Sequence, residues 1–127
     1  MADAASFAQA LQRHQTRIEE RCIEFIRDRS LAAVRALVDH SPAQTGRFRS
    51  GFRLEVGSPP IGGGELPPDP TGGIAVAAAE QALRSGPPRL VGWHRVYIRN
   101  DLPYAGVVDR RHRVMQRALA ELASRSS

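Results

Sequence analysis

Residues 93–109 read WHRVYIRNDLPYAGVVD, and this stretch sets the layout of the chain. Its first part alternates arginine with aromatic and aliphatic residues, which is typical of a β-strand. Its second part is a turn, because Pro103 has a fixed φ and biases Leu102 towards an extended backbone. The stretch therefore predicts a strand over residues 89–99 that ends at a corner, with Tyr104 held next to the proline.

The composition indicates one small basic domain. The chain has 127 residues, with 18 basic and 13 acidic side chains, and every basic one is an arginine. This length predicts a single domain over residues 1–127. Arginine binds carboxylates and phosphates through a planar pair of hydrogen bonds, so a basic surface suits either nucleic acid or an acidic protein. Composition does not choose between the two.

Several function classes find no support in the sequence. Cys22 is the only cysteine, which excludes an intramolecular disulfide and a cysteine metal cluster. No apolar run is long enough to span a bilayer, and we see no secretory signal. Asp109 and His112 lack a third metal ligand, and we expect Asp109 to cap the last helix. We therefore expect no enzyme activity, no cofactor and no bound metal.

Residues 2–40 contain neither glycine nor proline, and their apolar residues recur with helical spacing. This predicts one long helix, or two in line with a break near residues 28–30. A single helix of this length reaches about 50 Å at 1.5 Å per residue, so we expect it to extend past its own core and to pack on another chain. The apolar stripe consists of Phe7, Leu11, Ile18, Cys22, Phe25, Ile26, Ala33 and Leu37.

The remaining elements are a strand, a long loop and two helices. Apolar residues on even positions predict a strand over residues 47–57 with an arginine-rich outer face. Residues 57–73 hold five prolines and six glycines, and they predict an extended flexible loop. Residues 74–84 and 110–123 predict a short middle helix and a C-terminal helix. The fold class is therefore α+β, with a long N-terminal helix and a small antiparallel sheet.

The arginines on the two predicted strands are the main candidates for a binding surface. If the strands pair, the arginines form one basic face with Trp93 and Tyr97 between them, a composition that suits phosphate contact and base stacking. The alternative is a solvated outer face whose arginines lie over apolar surface. The predicted basic face consists of Arg47, Arg49, Arg53, Arg95 and Arg99.

Two stretches, SPAQTGRFRSGFRLEVGSPP at residues 41–60 and RVYIRNDLPYAGVVD at residues 95–109, together resemble the neck and tail-completion proteins of long-tailed bacteriophages and prophages. Members of that family carry a small residue-Pro-x-x-Thr-Gly loop after a long helix, then a basic strand and later Asn-x-x-Pro-Tyr-Ala. One departure is that residues 109–112 run almost directly into the last helix, without the glycine-containing loop of the family. The motifs fall here on Ser41, Pro42, Thr45, Gly46 and Arg47, and on Asn100, Pro103, Tyr104 and Ala105.

The resemblance implies a structural virion protein that forms a ring, with six copies expected, in the head–tail connector after assembly in the bacterial cytoplasm. The implied partners are further copies of the chain, other neck and tail proteins (stopper or adaptor, tail tube or terminator) and DNA in the channel, bound without sequence preference; no membrane is involved. A tail-terminator ring and a small basic nucleic-acid-binding protein remain alternatives. The residues implied at the subunit interface are Thr45, Gly46, Arg47, Asn100, Pro103 and Tyr104.

Overall fold

The computed structural model describes residues 3–42, 46–58, 67–100 and 105–126. Helices form most of it and pack around a small antiparallel sheet, so the predicted α+β class is confirmed. The elements in chain order are α1 (Ala4–Asp39), α2 (Arg47–Ser50), β1 (Phe52–Val56), α3 (Gly73–Arg84), a 3-10 turn (Leu90–Trp93), β2 (Val96–Asn100), α4 (Ala105–His112) and α5 (Val114–Ser126).

The N-terminal helix α1 is continuous over 36 residues, and it has no break near residues 28–30. Asp3 caps its first turn, because Asp3 Oδ1 accepts a hydrogen bond from Ser6 N at 2.8 Å. At 1.5 Å per residue, α1 is about 54 Å long. Its buried residues begin only at Ile23, so the first half of the helix extends beyond the core, as the sequence predicts.

The two strands pair antiparallel in a register that joins Phe52 to Asn100 and Val56 to Val96. Phe52 and Leu54 are buried, and β1 packs against α3. A two-stranded sheet is only marginally stable in water, so the cover from the helices stabilises it. The core lies between this sheet face, α3, α5 and the second half of α1, and its members are Ile23, Val34, Ala36, Leu37, Val38, Phe48, Phe52, Leu54, Ala75, Ala79, Leu83, Trp93, Val114 and Ala118.

Residues 47–50 correct the predicted start of the first strand, because they form the helical turn α2. The turn begins at Gly46, which has a φ of 74°, and the Gly46 carbonyl accepts a hydrogen bond from Ser50 N at 3.1 Å. Phe48 and Phe52 are four residues apart, a spacing that fits a helical turn as well as strand alternation. Their rings meet edge to face, with centres 5.4 Å apart.

The second strand is also shorter than predicted, because residues 90–93 form a 3-10 turn. The Glu19 carboxylate on α1 accepts a hydrogen bond from Leu90 N at 2.6 Å, which fixes the start of the turn. Trp93 therefore leaves the strand and enters the core, where it is 3 % exposed. Its indole N–H donates to the Pro87 carbonyl at 2.7 Å, and the Arg27 guanidinium lies over the ring at 5.2 Å.

The predicted C-terminal helix is divided into α4 and α5. The division falls at Arg113, whose φ of 53° is outside the helical range. Asp109 Oδ1 accepts a hydrogen bond from Met115 N at 2.8 Å. The predicted capping role of Asp109 is therefore confirmed, at the start of α5.

Candidate functional site

The described parts of the two motif stretches meet at one corner of the fold. Asn100 Nδ2 at the end of β2 donates a hydrogen bond to the Phe48 carbonyl of α2 at 2.8 Å, across a sequence separation of 52 residues. A Cβ at Gly51 would lie 2.5 Å from Asn100 Oδ1, so glycine allows this approach. Asn100, predicted at a subunit interface, holds the corner together within the chain.

Gly46, the second predicted interface residue of this corner, is also turned inward. It is buried, and its carbonyl accepts a hydrogen bond from Asp69 N at 3.2 Å. A Cβ there would lie 2.5 Å from the backbone nitrogen of Pro70. Gly46 is therefore required both for its left-handed backbone and for close contact with residues 69–70.

Asp69 fixes the other side of the corner. Its carboxylate accepts hydrogen bonds from Thr71 Oγ1 at 2.7 Å, Thr71 N at 3.0 Å and Ile74 N at 3.0 Å. The Thr71 hydroxyl, followed by the Ile74 amide, lowers the pKa of Asp69 below its ordinary value of 3.8. The end of the segment predicted as a flexible loop is thus folded against Gly46 and leads into α3.

Arg49 is held by backbone carbonyl groups. Its Nε and Nη2 donate to the Ser41 carbonyl at 3.1 and 3.0 Å, and its Nη1 donates to the Pro70 carbonyl at 3.0 Å. The side chain thus connects the end of α1 to the segment before α3. Arg49 and the exposed Arg47 both lie on α2. They therefore do not occupy the strand positions that the predicted basic face requires.

Three of the predicted arginines share the outer side of the sheet. Arg53 and Arg99 are directly opposite each other in the register, and Glu55 is opposite Tyr97. Arg95 immediately precedes β2 and is exposed. Alternation along a strand places these five side chains on one face, whereas the indole of residue 93 is in the core. We call Arg53, Glu55, Arg95, Tyr97 and Arg99 the outer sheet face.

Thr45, Pro103 and Tyr104, the remaining predicted interface residues, lie outside the described residues. Comparisons with family models, with curated proteins and with solved structures find no match to this chain. In the part of the chain that the structure describes, no group of three or more His, Cys, Asp or Glu side chains could hold a metal ion. No helix in the same part combines the length and the apolar character of a membrane span.

A second surface lies on the first half of α1. Phe7, Leu11, Ile18 and Phe25 are 65, 49, 48 and 62 % exposed, and at 3.6 residues per turn they fall within about 40° of one another. The buried Ile23 lies on nearly the opposite side of the helix. The predicted apolar stripe thus contains two sets of side chains, one in the core and one in solvent. We call the exposed set the outward stripe.

The sequence signal for the outward stripe is the spacing of seven residues from Leu11 to Ile18 and from Ile18 to Phe25. A heptad spacing is typical of a helix that packs along another helix.

Proposed function

We propose that this chain is a structural subunit of a bacteriophage neck, where its copies form a ring between the DNA-filled head and the tail. The observation that carries the proposal is the contact between the two stretches that resemble neck and tail-completion proteins. Asn100 of the second stretch donates to the Phe48 carbonyl of the first at 2.8 Å. Because these stretches are far apart in sequence, their contact makes them parts of one structural unit.

The small sheet supports assembly with further copies. It has two strands among the described residues, so each strand has one outer edge that no other described strand covers. The N–H and C=O groups of such an edge can pair with a strand of a neighbouring chain. A head-to-tail contact of this kind closes into a ring when the rotation between copies is suitable.

The outer sheet face supports contact with an anionic surface in that channel. Arg53 and Arg99 are directly opposite each other, and a guanidinium group can bind a phosphate or carboxylate through two parallel hydrogen bonds. DNA bound this way would be held without sequence preference, and the binding would weaken as salt is added.

Deletion of the gene in the phage or prophage that encodes this chain tests the proposal. We expect full heads and separate tails that do not join, and we expect infective particles again when the wild-type chain is supplied in trans. Normal infective particles from the deletion strain would contradict a role in the neck. Complementation with Glu20→Gln, an exposed position on α1 outside both candidate surfaces, is the matched control and should restore joining.

The outer sheet face also favours a second candidate, a small nucleic-acid-binding protein. An electrophoretic shift with random duplex DNA separates the two functions. Tight binding by the isolated monomer at physiological salt, lost in Arg53→Gln/Arg99→Gln, would favour the second candidate. Weak binding that disappears at that salt concentration agrees with the neck protein.

A further inference from the structure

The two outer edges of the sheet differ in how much of them the described helices cover. Phe52 and Leu54 of β1 are only 6 and 5 % exposed, backbone included, and β1 packs against α3. No residue of β2 is buried to that degree, and Val96 and Ile98 are half-buried. The outer edge of β2 is therefore the edge that another strand can reach.

The hydrogen bonds of the sheet show which backbone groups point outward at this edge. Gly57 N donates to the Arg95 carbonyl at 2.8 Å, which continues the register of the two strands. Bonded and non-bonded pairs alternate along an antiparallel ladder, so Val96 and Ile98 direct their N–H and C=O groups away from β1. Among the hydrogen bonds of the described residues, none uses these outward groups.

We propose that the outer edge of β2 pairs with the same edge of a second copy of the chain, antiparallel and centred on Ile98. The two strands then overlap over their full length. Ile98 lies opposite Ile98 of the second copy, and Tyr97 lies opposite Arg99 at both ends. Four backbone N–H groups, those of Val96 and Ile98 in each copy, donate to carbonyl groups across the contact.

The side chains of the outer sheet face select this register. Across the four strands each row contains Arg53 and Arg99 of one copy, followed by Tyr97 and Glu55 of the other, so an aromatic ring and a carboxylate follow two guanidinium groups. Centring the pair on residue 97 would place Arg95 of one copy beside Arg99 of the other, and centring it on residue 99 would place four arginines in one row. Like charges directly opposite each other destabilise a sheet. Either shift also removes two of the five residues of each strand from the contact.

The pair is a weak dimer of the free chain. It extends the sheet to four strands and places the half-buried Ile98 side chains of the two copies next to each other on the inner face. Strands of five residues bury less than the about 800 Å² per partner of a standard interface, so the dimer dissociates readily. A two-fold contact closes with two copies, so it does not build a ring, and it must open before this edge can pair in one. It goes beyond the proposed function without resting on it.

Cysteine cross-linking tests the register. The Cα atoms of a hydrogen-bonded antiparallel pair are about 5.5 Å apart, which is within the range of a disulfide. Ile98→Cys, combined with Cys22→Ser to remove the native thiol, should form a disulfide-linked dimer under mild oxidation. Tyr97→Cys in the same background is the matched control and should form about tenfold less, because residue 97 lies opposite Arg99 and two residues away from its own counterpart. Equal linkage through residue 97 would overturn the proposed register.

Sedimentation equilibrium tests the edge itself. Val96→Pro removes an outward N–H, a position at which an edge strand tolerates proline, and it should weaken the dimer about tenfold, since two of the four donors are lost. Val91→Gln, which changes a side chain that is 82 % exposed, should leave the dimer constant unchanged. Far-ultraviolet circular dichroism checks that each variant is folded, and if Val96→Pro unfolds, the cysteine variants decide.

Three results would overturn the proposal. The first is a wild-type chain that stays monomeric at several hundred micromolar. The second is the absence of linkage through Ile98→Cys at a concentration where the wild type is dimeric. The third is a dimer that Ile18→Gln/Phe25→Gln abolishes, because the copies would then meet through the outward stripe of α1.

Discussion

Replacing Arg49 by lysine separates a structural role for this side chain from a role in a basic face. Lysine keeps the positive charge but loses the planar fork that reaches the carbonyls of both Ser41 and Pro70. Ser41 is only 3 % exposed, so water does not readily replace the lost donors. A hydrogen bond from a charged donor contributes about 1.5–3 kcal/mol, and lysine retains part of this. We therefore expect the free energy of unfolding to fall by about 2 kcal/mol.

Urea denaturation followed by tryptophan fluorescence measures this change, since Trp93 is the only tryptophan and is buried. The corresponding fall in Tm is about 8 °C for a chain of this length. Arg95→Lys is the matched control, because Arg95 is exposed, and it should change the free energy by less than about 0.5 kcal/mol. If Arg49→Lys unfolds like the wild type while Arg49→Gln loses anion binding, the structural interpretation of Arg49 is wrong.

Three further predictions concern the core and its edges. Gly72→Ala should lower the free energy of unfolding by about 2 kcal/mol or more, because Gly72 has a φ of 74° and a Cβ there would overlap Val38 Cγ1. Thermal unfolding measures this loss of stability, and an unchanged Tm would contradict the packing of Gly72 against Val38. Trp93→Phe should lower the free energy of unfolding by about 2 kcal/mol, because it leaves the Pro87 carbonyl without its indole donor. Denaturation followed by circular dichroism measures this, and a variant as stable as the wild type would refute it. The Leu90 amide, followed by Arg89, lowers the pKa of Glu19 below 4.5, so the stabilisation is present above that pH and is lost as the pH falls through the lowered pKa. The difference in urea stability between wild type and Glu19→Gln should therefore be largest at neutral pH and should shrink as the pH falls below 4.5, and a difference that grows with acid would contradict this pH dependence.

The long helices were predictable because their signals are local. Residues 2–40 lack glycine and proline, and Pro42 marks the end of α1. The middle helix was predictable from its alanine-rich run between Gly73 and Ser85. In each case neighbouring residues alone determine the backbone, so no knowledge of the tertiary structure is needed.

The short elements were mispredicted because distant contacts determine them. Phe48 and Phe52 satisfy strand alternation and helical spacing equally. The helical turn begins at the left-handed Gly46, whose carbonyl accepts a hydrogen bond from the distant Asp69 N. The 3-10 turn begins where Glu19 accepts the Leu90 amide, a contact between positions 71 residues apart in sequence. No local pattern contains that information, so the strand was predicted too long.

The same distinction between local sequence signals and distant contacts applies to the candidate site. Alternation along the strands predicts the positions of Arg53 and Arg99, and the register sets these two residues opposite each other. The structural role of Arg49 was not predictable, because its acceptors lie 8 and 21 residues away along the chain. The outward stripe could be recognised only after Ile23 and the second half of α1 were found in the core, since both sides of the helix carry apolar residues.

Electron cryomicroscopy of phage particles produced by the genome that encodes this chain tests the proposed function most directly. We expect a ring of six copies at the joint between head and tail, each recognisable by a continuous helix of 36 residues and by the corner at which Asn100 meets Phe48. The same particle with the chain labelled at its C-terminus should show the label at that joint alone. Density for this chain elsewhere in the particle, or its absence from the particle, would contradict the account.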